Sequence, residues 1–438
     1  MAVRNVTRRG PVAVLVGVFL VVMAFGVGTA GAHNELTGVD PVDGSIVDRA
    51  GTIRFRFLNP VPLDTMSVEA IDASGARTPI EGLRHGEGTT EVVVDAADLP
   101  AGAVTLRWRL VGADGHVVTD RVQYGIADGG SVARVVAPSS VTDSTDGAPS
   151  PVGSAGRWLL RTASYVALMA FVGGAVTQRW LWPGLGSVGV LRHATSVGLV
   201  LIGLLSLVQI VELAAQIDGV EFGSAIGRWQ SALRARAGDA LAWRAVLAAL
   251  GVVFLAVVAR IPRTVADGLR AVVVVLLLGT WSFAGHAASG RWSALGVVVD
   301  GAHHGAAAAW IGGLAVLAMG LRTMPGDEVA LVMTRFSAAA PWLVGTLAVT
   351  GVVAKLRLLD GPSSMIGAHS LVLVAKLCVV GCMLWIADLN RRRVQRWCDE
   401  AESFGVRRID VLRRAMTTEA VSGVVVLAIT AVLVVTAS

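Results

Sequence analysis

Ala30-Gly31-Ala32-His33 is the stretch that divides this chain and decides how its first part folds. The small-residue pattern Ala-Gly-Ala is typical of a signal-peptidase site, and it follows a basic start and an apolar run over residues 12–27. Residues 1–32 are therefore predicted to form a signal peptide, and the segment after them is predicted to be exported. Cleavage after Ala32 makes His33 the N-terminal residue, which then carries an α-amine beside its imidazole.

The exported segment, residues 33–127, carries short alternating runs that are typical of β-strands. Apolar and polar residues alternate over 52–57, 91–94 and 104–110, and Asp-Gly, Pro-Val and Gly-rich turns separate these runs. This spacing favours a small all-β sandwich. Arginines alternate with apolar residues in the first and last of these runs, so one face of each strand is predicted to face solvent.

Beyond residue 127 the composition changes twice. Residues 128–156 are rich in Gly, Ser, Pro, Asp and Thr, which predicts a flexible linker. Residues 157–438 then carry apolar runs of roughly 20 residues, the length that crosses a bilayer. The predicted spans lie near 158–177, 192–213, 240–259, 266–286, 299–320, 334–354, 368–388 and 415–436. The predicted fold class is therefore multi-domain, with an N-terminal all-β sandwich and a C-terminal all-α polytopic membrane bundle of about eight helices.

Composition and charge support this assignment. With 54% hydrophobic and 16% charged residues over 438 positions, charge is too sparse to cover a soluble globule of this size. The formal net charge of +5 comes from arginines between the apolar spans, which fits the positive-inside rule better than a nucleic-acid partner. The Arg-rich loop 389–414 is then expected in the cytoplasm, with the β-domain outside a plasma membrane that the chain crosses several times.

Three residues of the exported segment are candidate copper ligands. His33 offers its α-amine and its imidazole, while Asp114-Gly115-His116 supplies a carboxylate and a second imidazole. An amine, two imidazoles and a carboxylate suit Cu(II), which prefers tetragonal nitrogen and oxygen surroundings. Each residue alone has an ordinary explanation, since Asp-Gly also closes tight turns. Together, His33, Asp114 and His116 are predicted to form a Cu(II) site.

A second set of candidates lies in or near the apolar spans, where an ionisable residue suggests a function. These residues are His286, Asp300, His303, His369 and Glu419. Asp300 and His303 are three residues apart and therefore share one helix face, so the carboxylate is expected to orient that imidazole. The alternative is that the histidines are merely interfacial residues at helix ends, and that Glu419 pairs with a basic side chain of the bundle.

Two parts of the sequence resemble known families. Residues 33–127 resemble the CopC family of bacterial periplasmic copper-binding proteins, and the residues that carry this likeness are His33, Asp40-Pro41-Val42-Asp43-Gly44, Trp108-Arg109 and Ala113-Asp114-Gly115-His116. The membrane part resembles the CopD family of inner-membrane copper-resistance proteins at Gly285-His286-Ala287, Asp300-Gly301-Ala302-His303, Trp310-Ile311-Gly312-Gly313-Leu314, Arg335-Phe336-Ser337, Lys376 and Glu419. The order of the two parts is that of natural CopC–CopD fusions.

The resemblance implies a copper-binding membrane protein that is not an enzyme. Its exported domain would capture Cu(II) outside the cell membrane and pass copper to the bundle, for uptake or for copper homeostasis and resistance. Within the bundle, copper as Cu(I) is one of the expected forms. The expected partners are the copper ion, the lipid bilayer and extracytoplasmic copper chaperones.

Two other functions stay open on the sequence alone. Histidines on neighbouring spans also ligate haem b, which would make the chain a membrane electron-transfer protein. An N-terminal histidine with a second imidazole also forms the copper brace of oxidase-like polysaccharide oxygenases. Against the oxidase, the exported segment is small and shows no aromatic platform for a substrate.

Overall fold

The computed structural model describes residues 36–111, 117–127, 151–183, 193–288, 292–321, 323–357 and 406–436, with isolated residues between 380 and 396. The predicted signal peptide, most of the predicted linker and the candidate ligands His33, Asp114, His116 and His369 lie outside these ranges. Within them a β-domain is followed by a helical domain, which confirms the predicted order of an all-β and an all-α part.

The β-domain contains nine described strands in two sheets. They are β1 Leu36–Asp40, β2 Ile46–Asp48, β3 Thr52–Phe57, β4 Met66–Ile71, β5 Arg77–Ile80, β6 Arg84–Gly86, β7 Gly88–Asp95, β8 Gly102–Val111 and β9 Val117–Ala127. One sheet has the order β1-β3-β7-β6 and the other the order β2-β9-β8-β4-β5. Pairing is antiparallel except between β2 and β9.

The two sheets share one apolar core, so the domain is a sandwich. Alternation along β3 buries Ile53, Phe55 and Phe57, while the arginines between them lie on the other face. From the opposite sheet, β8 contributes Leu106 and Trp108 to the same core. Trp108 meets Phe57 edge to face, with ring centroids 5.2 Å apart.

The helical domain contains nine described α-helices. They are α1 Pro151–Val176, α2 Ala194–Asp218, α3 Phe222–Ala225, α4 Arg236–Val257, α5 Arg263–Phe283, α6 Ser293–Ala307, α7 Gly313–Gly320, α8 Gly326–Arg357 and α9 Val406–Thr436. A π-helical turn, Thr177–Leu181, extends α1, and a second, Ala308–Gly312, joins α6 to α7. A 3₁₀ segment, Ile226–Arg234, follows α3.

Among the described residues, six helical stretches are long and apolar enough to cross a membrane. They are Gly156–Leu181, Ala194–Asp218, Arg236–Val257, Thr264–Phe283, Ser293–Gly320 and Glu328–Ala354, and they correspond to the first six predicted spans. The seventh predicted span, 368–388, lies mostly outside the described residues, and the eighth, 415–436, falls within α9. Helix α1 begins at Pro151, inside the predicted linker. Proline suits a first helical turn, since the N–H that it lacks has no partner inside the helix at that position.

Two glycines set the position of α1 against the α6–α7 helix. A Cβ on Gly173 would overlap the backbone of Gly312, and a Cβ on Gly312 would overlap the carbonyl oxygen of Met169. The backbones therefore approach as closely as small residues permit, which is typical of helices in membranes. The contact falls on the π-helical turn, directly after the α6 residues that form the candidate site.

Candidate functional site

A polar cluster on α6 contains two of the residues that the sequence singled out, Asp300 and His303, together with His304. His304 Nδ1 lies 3.2 Å from Asp300 Oδ2 and 2.9 Å from the Asp300 carbonyl oxygen. His303 Nδ1 lies 2.9 Å from the Thr350 hydroxyl of α8. The ion pair thus joins Asp300 to His304, whereas the spacing suggested His303. Residues four apart are only about 40° apart around a helix, against about 60° for residues three apart, which favours His304.

Helix α1 adds an aromatic ring to this cluster. Tyr165 stacks on His304, with ring centroids 5.9 Å apart and an interplanar angle of 19°. The rings of His303 and His304 lie 6.4 Å apart at 83°. Tyr165 carries no sequence signal of its own, because its role depends on how closely α1 approaches α6.

A buried cation lies in the same part of the bundle. Arg244 of α4 is 3% exposed and places its guanidinium 3.7 Å from the ring centroid of Trp281. Its Nε donates to the Thr280 hydroxyl and its Nη2 to the Thr280 carbonyl oxygen, both at 3.0 Å. These contacts replace part of the water that the charge loses in the bundle. The signal in the sequence that could have identified this site is the position of Arg244 inside the apolar run 240–259.

The structure describes the remaining candidates only in part. The His286 backbone begins the 3₁₀ turn His286–Ala288 between α5 and α6, and its side chain lies outside the described residues. Glu419 is buried on α9. In the part of the chain that the structure describes, no group of three or more His, Cys, Asp or Glu side chains is arranged to hold a metal ion.

A second polar group connects α1 and α2. Glu212 of α2 lies 4.0 Å from Arg157 of α1 and accepts a hydrogen bond from Gln216 one turn further along. Gln209 donates to the Ser164 hydroxyl at 3.1 Å. Ser164 directly precedes the tyrosine that stacks on His304, so polar contacts run along this helix pair toward the cluster.

The β-domain contacts the bundle where α2 ends. Arg109 of β8 donates from Nη1 to the Gln216 carbonyl oxygen at 3.2 Å. Val111, the last residue of β8, is fully buried in an apolar cluster with Leu213 and Ile217 of α2. Burial, and then the neighbouring Arg107 charge, lowers the pKa of Arg109. The predicted solvent-facing side of β8 is thus partly covered, because the helical domain packs against it.

Both the β-domain and the helical domain match known protein families. The CopC domain model matches residues 36–127, and the model of copper resistance protein D, CopD, matches residues 330–433. The chain joins a CopC domain to a CopD domain. This confirms the fusion that the sequence motifs suggested.

Individual relatives cover the two domains differently. Copper transport protein CutJ of Bacillus subtilis (strain 168) is 26% identical over 365 residues, which is 78% of this chain and 63% of that protein. The chain therefore matches somewhat less than two thirds of that relative. Two solved structures align with the CopC domain, each with a TM-score of 0.20. CopC from Methylosinus trichosporium OB3b is 20% identical over 23% of this chain and 100% of its own. The methionine-rich copper resistance protein PcoC from Escherichia coli is 22% identical over 22% of this chain and 99% of its own.

The CopD match covers only the later helices. Thr350 and Glu419 lie inside the matched residues 330–433, whereas Asp300, His303 and His304 lie before them. The α6 cluster therefore spans the border of the match, and its partner hydroxyl comes from the CopD domain itself.

Proposed function

We propose that this protein captures Cu(II) outside the cell membrane through its CopC domain and passes copper to the helical bundle, for uptake or for copper homeostasis and resistance. The observation that carries the proposal is the presence of a CopC domain and a CopD domain in one chain. The relative whose name is copper transport protein CutJ supports a role in moving copper. The family names, CopC domain and copper resistance protein D, support a role other than catalysis, and no catalytic role is proposed.

The capture site consists of His33, Asp114 and His116. Val111 of β8 pairs with Val117 of β9, and the last two of these residues are among the five that separate the pair in sequence. The N-terminal amine and two imidazoles supply nitrogen ligands for Cu(II), and the carboxylate acts as a weak axial ligand or orients a ligand. This chemistry needs cleavage after Ala32 and an extracytoplasmic β-domain.

In the bundle, the proposed copper relay consists of His286, Asp300, His303, His369 and Glu419, and the structure adds His304 as the partner of Asp300. The Thr350 hydroxyl fixes the orientation of the His303 ring, as hydrogen-bonded neighbours do for metal-binding imidazoles. The relay takes copper as Cu(I) or Cu(II). Delivery to the exported domain by extracytoplasmic copper chaperones is part of the proposal.

Copper accumulation by cells that express the protein tests the proposed function. His116→Ala should remove Cu(II) binding by the purified protein, whereas His303→Ala should leave that binding intact. Both variants should reduce copper accumulation by the cells. The matched controls are His85→Ala, an exposed histidine on β6, and His193→Ala, an exposed histidine at the start of α2. Accumulation unchanged in both site variants, at normal expression, would refute the proposal. A Soret band in the purified protein that His303→Ala abolishes would favour the haem alternative instead.

A further inference from the structure

The contact between β8 and the end of α2 combines charge and apolar packing. The Arg109 guanidinium donates to the carbonyl oxygen of Gln216 in the last turn of α2. The last carbonyls of a helix carry partial negative charge, so a cation is stabilised at that position. Two residues further along β8, Val111 is enclosed by apolar residues of α2 and of the segment after it.

Gly219 fits this contact in two ways. It ends α2 with a φ of 66°, a left-handed conformation that favours glycine. A Cβ at this position would also lie 2.5 Å from Arg109 Nη1. The end of α2 is therefore shaped to receive the arginine of the β-domain.

The contact also lies close to the proposed capture loop. Val111 pairs with Val117, and the five residues between them include Asp114 and His116. Chain length alone keeps each of these residues within about 10 Å of that strand pair, since a residue extends the chain by at most about 3.6 Å.

On the bundle side, polar contacts continue from the same point toward the α6 cluster. Gln216, which accepts from the β-domain, donates its side-chain amide to Glu212. Gln209 reaches Ser164 about two turns deeper, or about 10 Å along the helix axis. Beside Ser164, Tyr165 stacks on His304.

We propose that Arg109 and Val111, together with the end of α2, form a docking latch that holds the CopC domain on the bundle while copper is transferred. This inference rests on the proposed function. It differs from a model in which the CopC domain moves freely on its linker, because the docked domain delivers copper from a fixed position. The latch holds the strand ends that flank Asp114 and His116 in sequence beside the helix pair that leads to Asp300 and His304.

Distance measurement between two spin labels tests the latch in the full-length protein in nanodiscs. The labels are attached through Glu81→Cys on the β-domain and Gly223→Cys on α3, both exposed, after the three native cysteines are replaced by serine. A docked domain gives one narrow distance distribution. Arg109→Glu should broaden it, because a carboxylate would face the carbonyl end of α2, and Arg109→Lys should largely restore it.

The matched control is Arg107→Ala. Arg107 points to the same side of β8 and pairs with Glu69 at 3.4 Å, inside the β-domain, so its loss should leave the distribution narrow. Replacing a charge-assisted hydrogen bond with a repulsion should lower the ratio of docked to undocked protein about tenfold or more. A broad distance distribution in the labelled protein that keeps Arg109, or a narrow distance distribution in Arg109→Glu, would overturn the proposal.

Copper measurements separate the failure of the latch from the failure of the proposed function. Arg109→Glu should bind Cu(II) as the parent protein does, and its copper accumulation in cells should fall at least severalfold. If that variant is undocked and still accumulates copper normally, the latch is refuted and the proposed function stands. If the parent protein itself neither binds nor accumulates copper, the proposed function fails, and the latch loses its role in transfer.

Discussion

Replacing Gly173 by alanine should loosen the bundle at the contact that positions the α6 cluster. The added Cβ would overlap the backbone of Gly312. Overlap with backbone cannot be relieved by a change of rotamer, so α1 and the π-helical turn must separate. Overpacking of this kind costs about 1–3 kcal/mol of unfolding free energy.

The matched control is Gly345→Ala in α8, where a Cβ would meet nothing within 4 Å. Alanine in an open helix position gains up to about 1 kcal/mol over glycine. Both glycines lie inside a helix, so this gain is common to the two variants, which should differ by the overpacking cost of roughly 1–3 kcal/mol. Unfolding of the purified protein in mixed micelles with increasing SDS, followed by circular dichroism, measures this difference.

The same contact between Gly173 and Gly312 also predicts the stability of a double variant. Gly312→Ala would overlap the carbonyl oxygen of Met169 in the same interface, so the double variant with Gly173→Ala should cost less than the sum of the two single variants. Equal stabilities of Gly173→Ala and Gly345→Ala would refute the reasoning, because they would show that the close approach of α1 is not present in the protein.

Three other predictions concern the two sites and the β-domain. A protein with one extra residue before His33 should bind Cu(II) far more weakly than one that starts at His33, because its α-amine is no longer in chelating position. Isothermal calorimetry measures the two affinities, and equal affinities would exclude the amine as a ligand. The hydrogen bond from Arg54 holds the pKa of Glu91 below its usual 4.5, so this pair should stabilise the β-domain fully above that pH and lose its effect as the pH falls through the lowered value. Urea unfolding between pH 6 and about pH 3 should show a flatter profile in Arg54→Ala, and identical profiles would contradict the assignment. Finally, His304→Ala and Asp300→Asn should reduce copper accumulation to a similar degree, since the two side chains form one pair, and a normal level in both would remove the pair from the relay.

Local patterns were enough to predict the architecture. The alternation over 52–57 coincides with β3, because a period of two places the apolar residues on the one face of the strand that packs against the core. The apolar runs predicted six of the helices that could cross a membrane, because composition over about 20 residues decides insertion. The start of α1 at Pro151 was missed, since Gly, Ser and Pro are also typical of linkers.

The contacts of the candidate site depend on tertiary packing, and the sequence predicted fewer of them. Helical spacing predicted that Asp300 and His303 share one helix face, but His304 as the partner of the carboxylate followed only from the side-chain geometry. Tyr165 joins them only because two glycines let α1 approach. Arg109 was expected to face solvent, since nothing in the strand pattern shows that a helix end covers it.

The buried guanidinium of Arg244 has a consequence for ion valence. It interacts electrostatically with Tyr165, whose ring stacks on His304, so its positive charge acts on any ion that reaches the cluster. By Coulomb's law, the repulsion between this charge and a divalent ion is twice that for a monovalent ion at the same position. Taken alone, this arginine would favour cuprous over cupric copper at the cluster without any contact to the metal, and it opposes the Asp300 carboxylate, which attracts a divalent ion more strongly.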